Sequence, residues 1–182
     1  IPNELDWDLW LGPANTIDYN PAYLPFNWRG WWRFGTGALG DMGCHVMDPV
    51  FRILPIDYPT EVECSATAAY EGFFRVARYT DSCPSSSITH LKFPRTDGKG
   101  IVDLTWMDGG LRPQMPAELP ADHELVKLDN GVIFEGSKGL LIGNHGLKPL
   151  LLPMTLNQEM ENVPRTEKRV RVGDYKAWVD AC

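Results

Sequence analysis

The sequence predicts an α+β fold: an open, mainly antiparallel β-sheet with helices on one face. Apolar residues recur at helical spacing over residues 38–54. Several later segments alternate between apolar and polar residues, as half-buried strands do. The connections between these segments are short, which favours antiparallel pairing. A length of 182 residues predicts one domain over 1–182, and both ends of the chain read as cut, so we expect a fragment of a longer protein.

The composition is that of an ordinary globular protein, with 43% hydrophobic and 23% charged residues. The net charge of -7 argues against a nucleic-acid partner. The longest apolar runs are too short for a membrane-spanning helix. The four cysteines are scattered without a CxxC pair, so reduced, partly buried thiols are the favoured interpretation over a disulfide or a metal role.

Residues 1–34 are rich in Trp, Pro and Asn and follow neither helical nor strand periodicity. We expect an irregular segment that its aromatic rings hold against a core, with one helical turn near residues 4–11. Packing explains most of these tryptophans. Trp28 and Arg29 are nevertheless candidate substrate-binding residues, because an indole face beside a guanidinium suits a sugar ring.

The predicted helix of residues 35–56 carries an apolar stripe and a polar stripe. The apolar stripe consists of Met42, Val46, Val50 and Ile53. The polar stripe consists of Asp41, His45, Asp48 and Arg52. Charged groups aligned on such a helix must face water, a partner or a substrate, because unpaired burial costs too much. Pro49 lacks an N–H group, so we expect a kink where the carbonyl of His45 loses its helical partner.

Residues 57–182 are predicted to form the sheet and a terminal helix. The predicted strands are 61–71, 86–93, 101–107, 131–135 and 139–143. The sheet face away from the helices is only half polar, so we expect it to pack on a second subunit or another domain. The terminal helix is predicted to begin with Asp174 as N-cap and to carry an apolar face formed by Tyr175, Trp178, Val179 and Cys182.

The run from Gly35 to Gly40 matches the G-x-G-x-x-G pattern of dinucleotide-binding proteins. We reject a Rossmann interpretation, because no β-branched strand precedes the run and no second βαβ unit follows it. Small residues instead allow close approach of a ligand or another chain, and the helix that starts there can favour an anion. Gly37 and Gly40 are therefore candidate cofactor contacts.

Asp41 and His45, one helical turn apart, admit three interpretations. His45 can be an ordinary helix residue paired with Asp41. The two can bind a metal together with Asp48 or Cys44, although the second Cys/His pair usual for zinc is missing, so no metal ligand is predicted. His45 can also be a general acid/base assisted by Asp41. The spacing alone does not choose between them.

Three segments of the sequence carry a resemblance to a known protein family: WDLWLGP (7–13), FNWRGWW (26–32) and FGTGALGDMGCHVMDP (34–49). With them the chain resembles the C-terminal domain of the Gfo/Idh/MocA (glucose–fructose oxidoreductase / inositol dehydrogenase) family, in the version common in Bacteroidetes. The resemblance implies a two-domain dehydrogenase whose N-terminal Rossmann domain, absent from this chain, binds most of NAD or NADP. It also implies a sugar or polyol substrate and a homo-oligomer formed through the open sheet face.

By the same resemblance, Asp41 and His45 match the family's catalytic Asp and His. His45 would exchange a proton with the reacting hydroxyl, Asp41 would orient it, and Asp48 would help to hold the substrate. Some members are simple dehydrogenases, whereas others oxidise a sugar transiently to cleave a glycosidic bond. The alternatives are therefore an NAD-dependent or metal-dependent glycoside hydrolase or lyase, and a non-catalytic sugar-binding or scaffold domain of the same fold.

Overall fold

The structure, a computed structural model, describes residues 1–127, 129–144, 148–164, 166 and 173–182. The chain divides into two compact units, Ile1–Pro116 and Ala117–Cys182. Both units contain helices and antiparallel strands, so the predicted α+β class is confirmed. None of the described helices has the length and hydropathy needed to cross a bilayer.

Five α-helices and two short 3₁₀ turns lie in the described residues. The helices are α1 (Trp7–Leu11), α2 (Gly37–Val46), α3 (Asp48–Ile53), α4 (Leu156–Glu161) and α5 (Asp174–Ala181), and the 3₁₀ turns are Asn27–Gly30 and Glu124–Lys127. The strands are β1 (Glu61–Ala66), β2 (Ala69–Glu71), β3 (Arg75–Ala77), β4 (Ser87–Pro94), β5 (Ile101–Met107), β6 (Val132–Gly136), β7 (Gly139–Gly143) and β8 (Leu150–Leu152).

The described strands form three antiparallel sheets rather than one, in the orders β1-β4-β5, β2-β3 and β6-β7-β8. The predicted strand 61–71 breaks after Ala66, where Thr67 leaves the ladder. Its amide donates to the Ser86 carbonyl at 3.0 Å, and its Oγ1 accepts from the Ser86 amide at 3.2 Å. This side-chain bond replaces continued pairing and separates β1 from the small β2-β3 hairpin.

Helix α3 packs against one face of the β1-β4-β5 sheet, as the sequence predicted. Phe93 of β4 is 1% exposed, and the ring of Phe51 meets it edge-on with centroids 5.6 Å apart. Along β4 the side chains of Ser87, Thr89 and Phe93 are buried. The intervening residues Ile88, His90 and Lys92 are more exposed. Part of the hydrophobic core of the first unit therefore lies between α3 and this sheet face.

The predicted single helix over 38–54 is two helices, α2 and α3, separated at Met47. Pro49 occupies the first turn of α3, so the expected kink takes the form of a break. The apolar stripe ends at Val50, which is 5% exposed. The prediction that Ile53 is buried is wrong, because this last residue of α3 is 60% exposed.

Residues 1–34 are irregular apart from α1 and one 3₁₀ turn, as predicted. Asp6 caps α1 by accepting a hydrogen bond from the Leu9 amide at 3.0 Å. The ring of Trp7 stacks on Trp10 at 4.8 Å and lies parallel to Tyr23 at 6.1 Å. Tyr23 in turn meets Trp31 edge-on at 5.0 Å, so a chain of aromatic contacts joins this segment together.

The second unit combines the β6-β7-β8 sheet with α4 and α5. Two hydrogen bonds connect Asn157 of α4 to Leu151 of β8. The Asn157 side chain accepts one from the Leu151 amide at 3.0 Å and donates the other to the Leu151 carbonyl at 2.6 Å. Helix α5 begins at Asp174, but its N-cap is Gly173 rather than the predicted Asp174. The predicted apolar face is largely exposed, with Tyr175 at 92% and Trp178 at 70%.

Candidate functional site

The 3₁₀ turn Asn27–Gly30 places Arg29 against α2, where it meets one of the two predicted catalytic residues. Arg29 Nε donates to Asp41 Oδ1 at 3.3 Å, and Arg29 Nη1 donates to the Phe26 carbonyl at 3.3 Å. The guanidinium also lies 4.2 Å from the ring centre of Phe26 and 4.5 Å from that of Trp28. The structure therefore unites Trp28, Arg29 and Asp41 in one contact group.

Asp41 and His45 occupy the same helix, one turn apart, and His45 lies in the last turn of α2. The His45 side chain is exposed, whereas Asp41 retains 38% of its side-chain surface. Neither side chain is buried in apolar packing. A substrate or a further protein surface can therefore reach both groups from the same side of the helix.

Asp48, the third polar candidate, is the first residue of α3 and belongs to a separate ion pair. Arg52 Nε donates to Asp48 Oδ2 at 2.8 Å. The Arg52 side chain is 77% exposed, and the Asp48 side chain is 50% exposed. Because exposed pairs of this kind contribute little, the pair holds Asp48 only weakly. The break at Met47 places Asp48 on a different helix from His45.

Close contacts within the chain explain why glycines occupy the run from Gly35 to Gly40. A Cβ on Gly35 would lie 2.4 Å from the Arg29 carbonyl oxygen, and one on Gly40 would lie 1.8 Å from Thr36 Oγ1. Gly37 has a φ of 66°, and a Cβ there would meet Cys83 at 3.1 Å. Close packing between segments thus explains the glycines without a cofactor, and their contact with a nucleotide stays a prediction.

Two of the cysteines lie beside these residues: Cys44 Sγ donates to the Asp41 carbonyl at 3.6 Å, and Cys83 packs beside Gly37. All four thiols are free, and burial raises the pKa of Cys83. The described residues contain no group of three or more His, Cys, Asp and Glu side chains arranged to hold a metal ion.

A cavity of about 360 Å³ in the first unit lies outside every sequence-predicted site residue. Tyr19, Tyr23, Trp31 and Phe34 line it, together with charged side chains at its rim. The sequence showed these aromatics only as packing residues. The signal that could have identified them is the mixture of rings with Asp18 and Arg33 in a segment without periodicity.

Residues 1–84 match the family model of an oxidoreductase family, C-terminal alpha/beta domain. The matched span contains α2, α3 and the Arg29 turn, and hence all the candidate residues of the predicted site. No curated protein matches the chain. The match supports an oxidoreductase-family domain over the part of the chain that carries the site.

Proposed function

We propose that the chain is the substrate-binding C-terminal domain of an NAD(P)-dependent sugar or polyol oxidoreductase. In this proposal it belongs to the Gfo/Idh/MocA family, in the type common in Bacteroidetes, and an N-terminal Rossmann domain of the same protein completes the site. The observation that carries the proposal is the family match over residues 1–84 together with the accessible pair of Asp41 and His45 inside that span.

His45 serves as the general acid/base. When a secondary alcohol loses hydride, its hydroxyl proton must leave, and an accessible imidazole can take it. Such proton transfer contributes roughly 10²–10⁴-fold to rate. The imidazole lies in the last turn of α2, where the helix carbonyl groups interact favourably with the imidazolium that forms. A bound NAD or NADP supplies the hydride acceptor.

Asp41 orients the imidazole, and Arg29 holds Asp41. A carboxylate has about four lone-pair positions, so the single hydrogen bond from Arg29 leaves acceptor capacity for a histidine N–H. The remaining donors belong to the same guanidinium, which lies 4.5 Å from the ring centre of Trp28. The donors and the ring provide hydrogen bonds and an apolar face for a sugar, and Asp48 can add a further acceptor from α3.

The nucleotide contact assigned to this chain is a minor one. The Thr36 side chain makes no capping hydrogen bond to α2 within the described residues, so the first amides of the helix can face an anionic group. However, the spaces beside Gly37 and Gly40 are filled by Cys83 and Thr36. This arrangement fits contact at the edge of a cofactor held elsewhere, and it does not fit a pyrophosphate cradle.

The oligomer contact uses the face of the β1-β4-β5 sheet opposite α3. This face presents Ile101, which is 60% exposed, and the ion pair in which Lys92 Nζ donates to Glu61 Oε2 at 2.7 Å. An exposed face of mixed polarity suits an interface between subunits. Light scattering on the full-length protein tests this contact, since Ile101→Glu should shift an oligomer towards monomer.

The decisive experiment is His45→Ala in the full-length enzyme. Hydride transfer from candidate sugars and polyols is followed by the absorbance of the reduced cofactor at saturating NAD or NADP. The general-base role requires kcat to fall roughly 10²–10⁴-fold. His90→Ala is the comparison variant, because His90 is also exposed in the first unit and contacts Thr105 rather than the site. His90 shares the sheet face of Lys92, so light scattering checks that this variant assembles as the unmodified protein does. Near-normal turnover of the His45 variant would refute the role.

A further inference from the structure

The cavity in the first unit has a floor of aromatic rings and shares no lining residue with the Asp41–His45 site. Tyr23 meets Trp31 edge-on at 5.0 Å and Phe34 at 5.2 Å, so these rings fix one another in place. Tyr19 is fixed in the same way by Trp7 at 5.3 Å. The rings therefore present a preformed apolar surface that loses little side-chain entropy when a ligand binds.

The rim of the cavity carries three charged side chains, Asp18, Arg33 and Asp81. Within the described residues, none of these three side chains makes a hydrogen bond or an ion pair. The backbone beneath them is nevertheless anchored, since the Trp32 amide donates to the Asp81 carbonyl at 2.9 Å. The carboxylates of Asp18 and Asp81 can therefore accept hydrogen bonds from a ligand, and the guanidinium of Arg33 can donate them.

We propose that this cavity binds an uncharged sugar ring as a second carbohydrate site. The aromatic floor suits the apolar face of a pyranose, the two carboxylates accept hydrogen bonds from its hydroxyl groups, and Arg33 donates to its oxygens. Two carboxylates disfavour a phosphorylated or acidic sugar, and Arg33 disfavours a cation. The volume of about 360 Å³ lies at the lower end of the range of about 300–1,000 Å³ for small-molecule pockets, which suits one ring rather than a long chain.

The site does not depend on the proposed redox chemistry, so it is tested by binding alone. Full-length protein without added cofactor is titrated by calorimetry and by saturation-transfer NMR with three probes: methyl β-glucoside, methyl β-galactoside and methyl α-mannoside. At least one of these glycosides is expected to bind. Glucose 6-phosphate is the anionic comparison and is expected to bind more weakly than that glycoside.

Asp18→Ala and Asp81→Ala are each expected to weaken binding about tenfold, because each removes a charged hydrogen-bonding group. Both residues are exposed, so their replacement should leave the fold intact, which circular dichroism checks. Asp57→Ala is the matched control: Asp57 is an exposed acid of the same unit outside the cavity, and its loss should change binding less than about twofold. His45→Ala should also leave this binding unchanged.

Three results would overturn the inference: no binding of any of the three glycosides, full affinity in both cavity variants, or tighter binding of glucose 6-phosphate than of every glycoside. Binding that His45→Ala abolishes and the cavity variants retain would locate the sugar at α2. That outcome would reject the second site and leave the proposed function standing. Conversely, cavity binding in a protein without hydride transfer would reject the proposed function alone.

Discussion

Replacing Arg29 with Ala should destabilise the first unit more than replacing Arg52, although Arg52 has the shorter ion pair. Arg29 lies 3.3 Å from Asp41, whereas Arg52 lies 2.8 Å from Asp48. The difference comes from the surroundings. The Arg29 side chain retains only 32% of its surface and lies against two aromatic rings, but that of Arg52 retains 77%.

The magnitude follows from the individual contacts of Arg29. The part-exposed ion pair with Asp41 contributes about 0.2–1 kcal/mol after solvent screening. Each cation–π contact, with Phe26 and with Trp28, adds about 0.5–1 kcal/mol at an exposed site. Arg29→Ala should therefore cost about 1–3 kcal/mol. Arg52→Ala loses one exposed i,i+4 pair and should cost about 0.3–0.5 kcal/mol.

Urea unfolding followed by tryptophan fluorescence measures both variants, and a double-mutant cycle with Asp41→Asn isolates the ion pair. The coupling energy should be about 0.2–1 kcal/mol and should shrink at 1 M salt. Arg29→Ala also removes the cation–π contacts, so most of its cost should persist in the Asp41→Asn background. Equal costs for Arg29→Ala and Arg52→Ala would show that the aromatic contacts do not stabilise the turn.

Two further predictions concern packing and pH. Phe93→Ala should lower the free energy of unfolding in urea by about 3–5 kcal/mol, because it leaves a cavity at the contact between α3 and β4. Phe73→Ala is the control: Phe73 is 91% exposed, so its replacement should lower the free energy of unfolding by less than about 0.5 kcal/mol. The hydrogen bond from Arg95 lowers the pKa of Asp97 to about 2. The ionised carboxylate therefore stabilises the fold fully above the pKa of about 3.9 that it has in the unfolded chain. This stabilisation is lost as the pH falls through about 2. NMR titration should place the Asp97 midpoint near 2, and Arg95→Ala should return it towards the ordinary value; a midpoint unchanged by that substitution would contradict the assignment.

Local patterns predicted most helices and most strands because their causes lie within a few residues, whereas α4, β3 and β8 were not predicted. The spacing that aligns Asp41 with His45 is a property of one helical turn, and the break near Pro49 follows from a missing N–H group. Alternation likewise located β4 and β5 within one residue of their observed ends. The prediction failed at Ile53, the last residue of α3, because burial at a helix end depends on what packs against it, which periodicity does not encode.

The position of Asp81 at the cavity could not be predicted from the sequence, because non-local pairing places it there. A bridge joins Trp31 to Ser82, and the Cys83 amide donates to the Gly30 carbonyl at 2.7 Å. These bonds bring Asp81 beside residues some fifty positions earlier in the chain. No periodic pattern reports such a contact. The separation of β1 from the β2-β3 hairpin is equally non-local, since it depends on where Thr67 bonds to Ser86.

The glycine run shows how one sequence feature can acquire a different physical meaning once the structure is known. Gly35 allows the carbonyl of Arg29 to approach within a distance that any Cβ would forbid. That approach sets the 3₁₀ turn against the start of α2, and from there Arg29 reaches Asp41 one turn into the helix. The resemblance to a nucleotide fingerprint is therefore better explained by geometry that the site itself needs: small residues allow the turn to approach α2, and the turn holds the carboxylate beside the proposed acid/base.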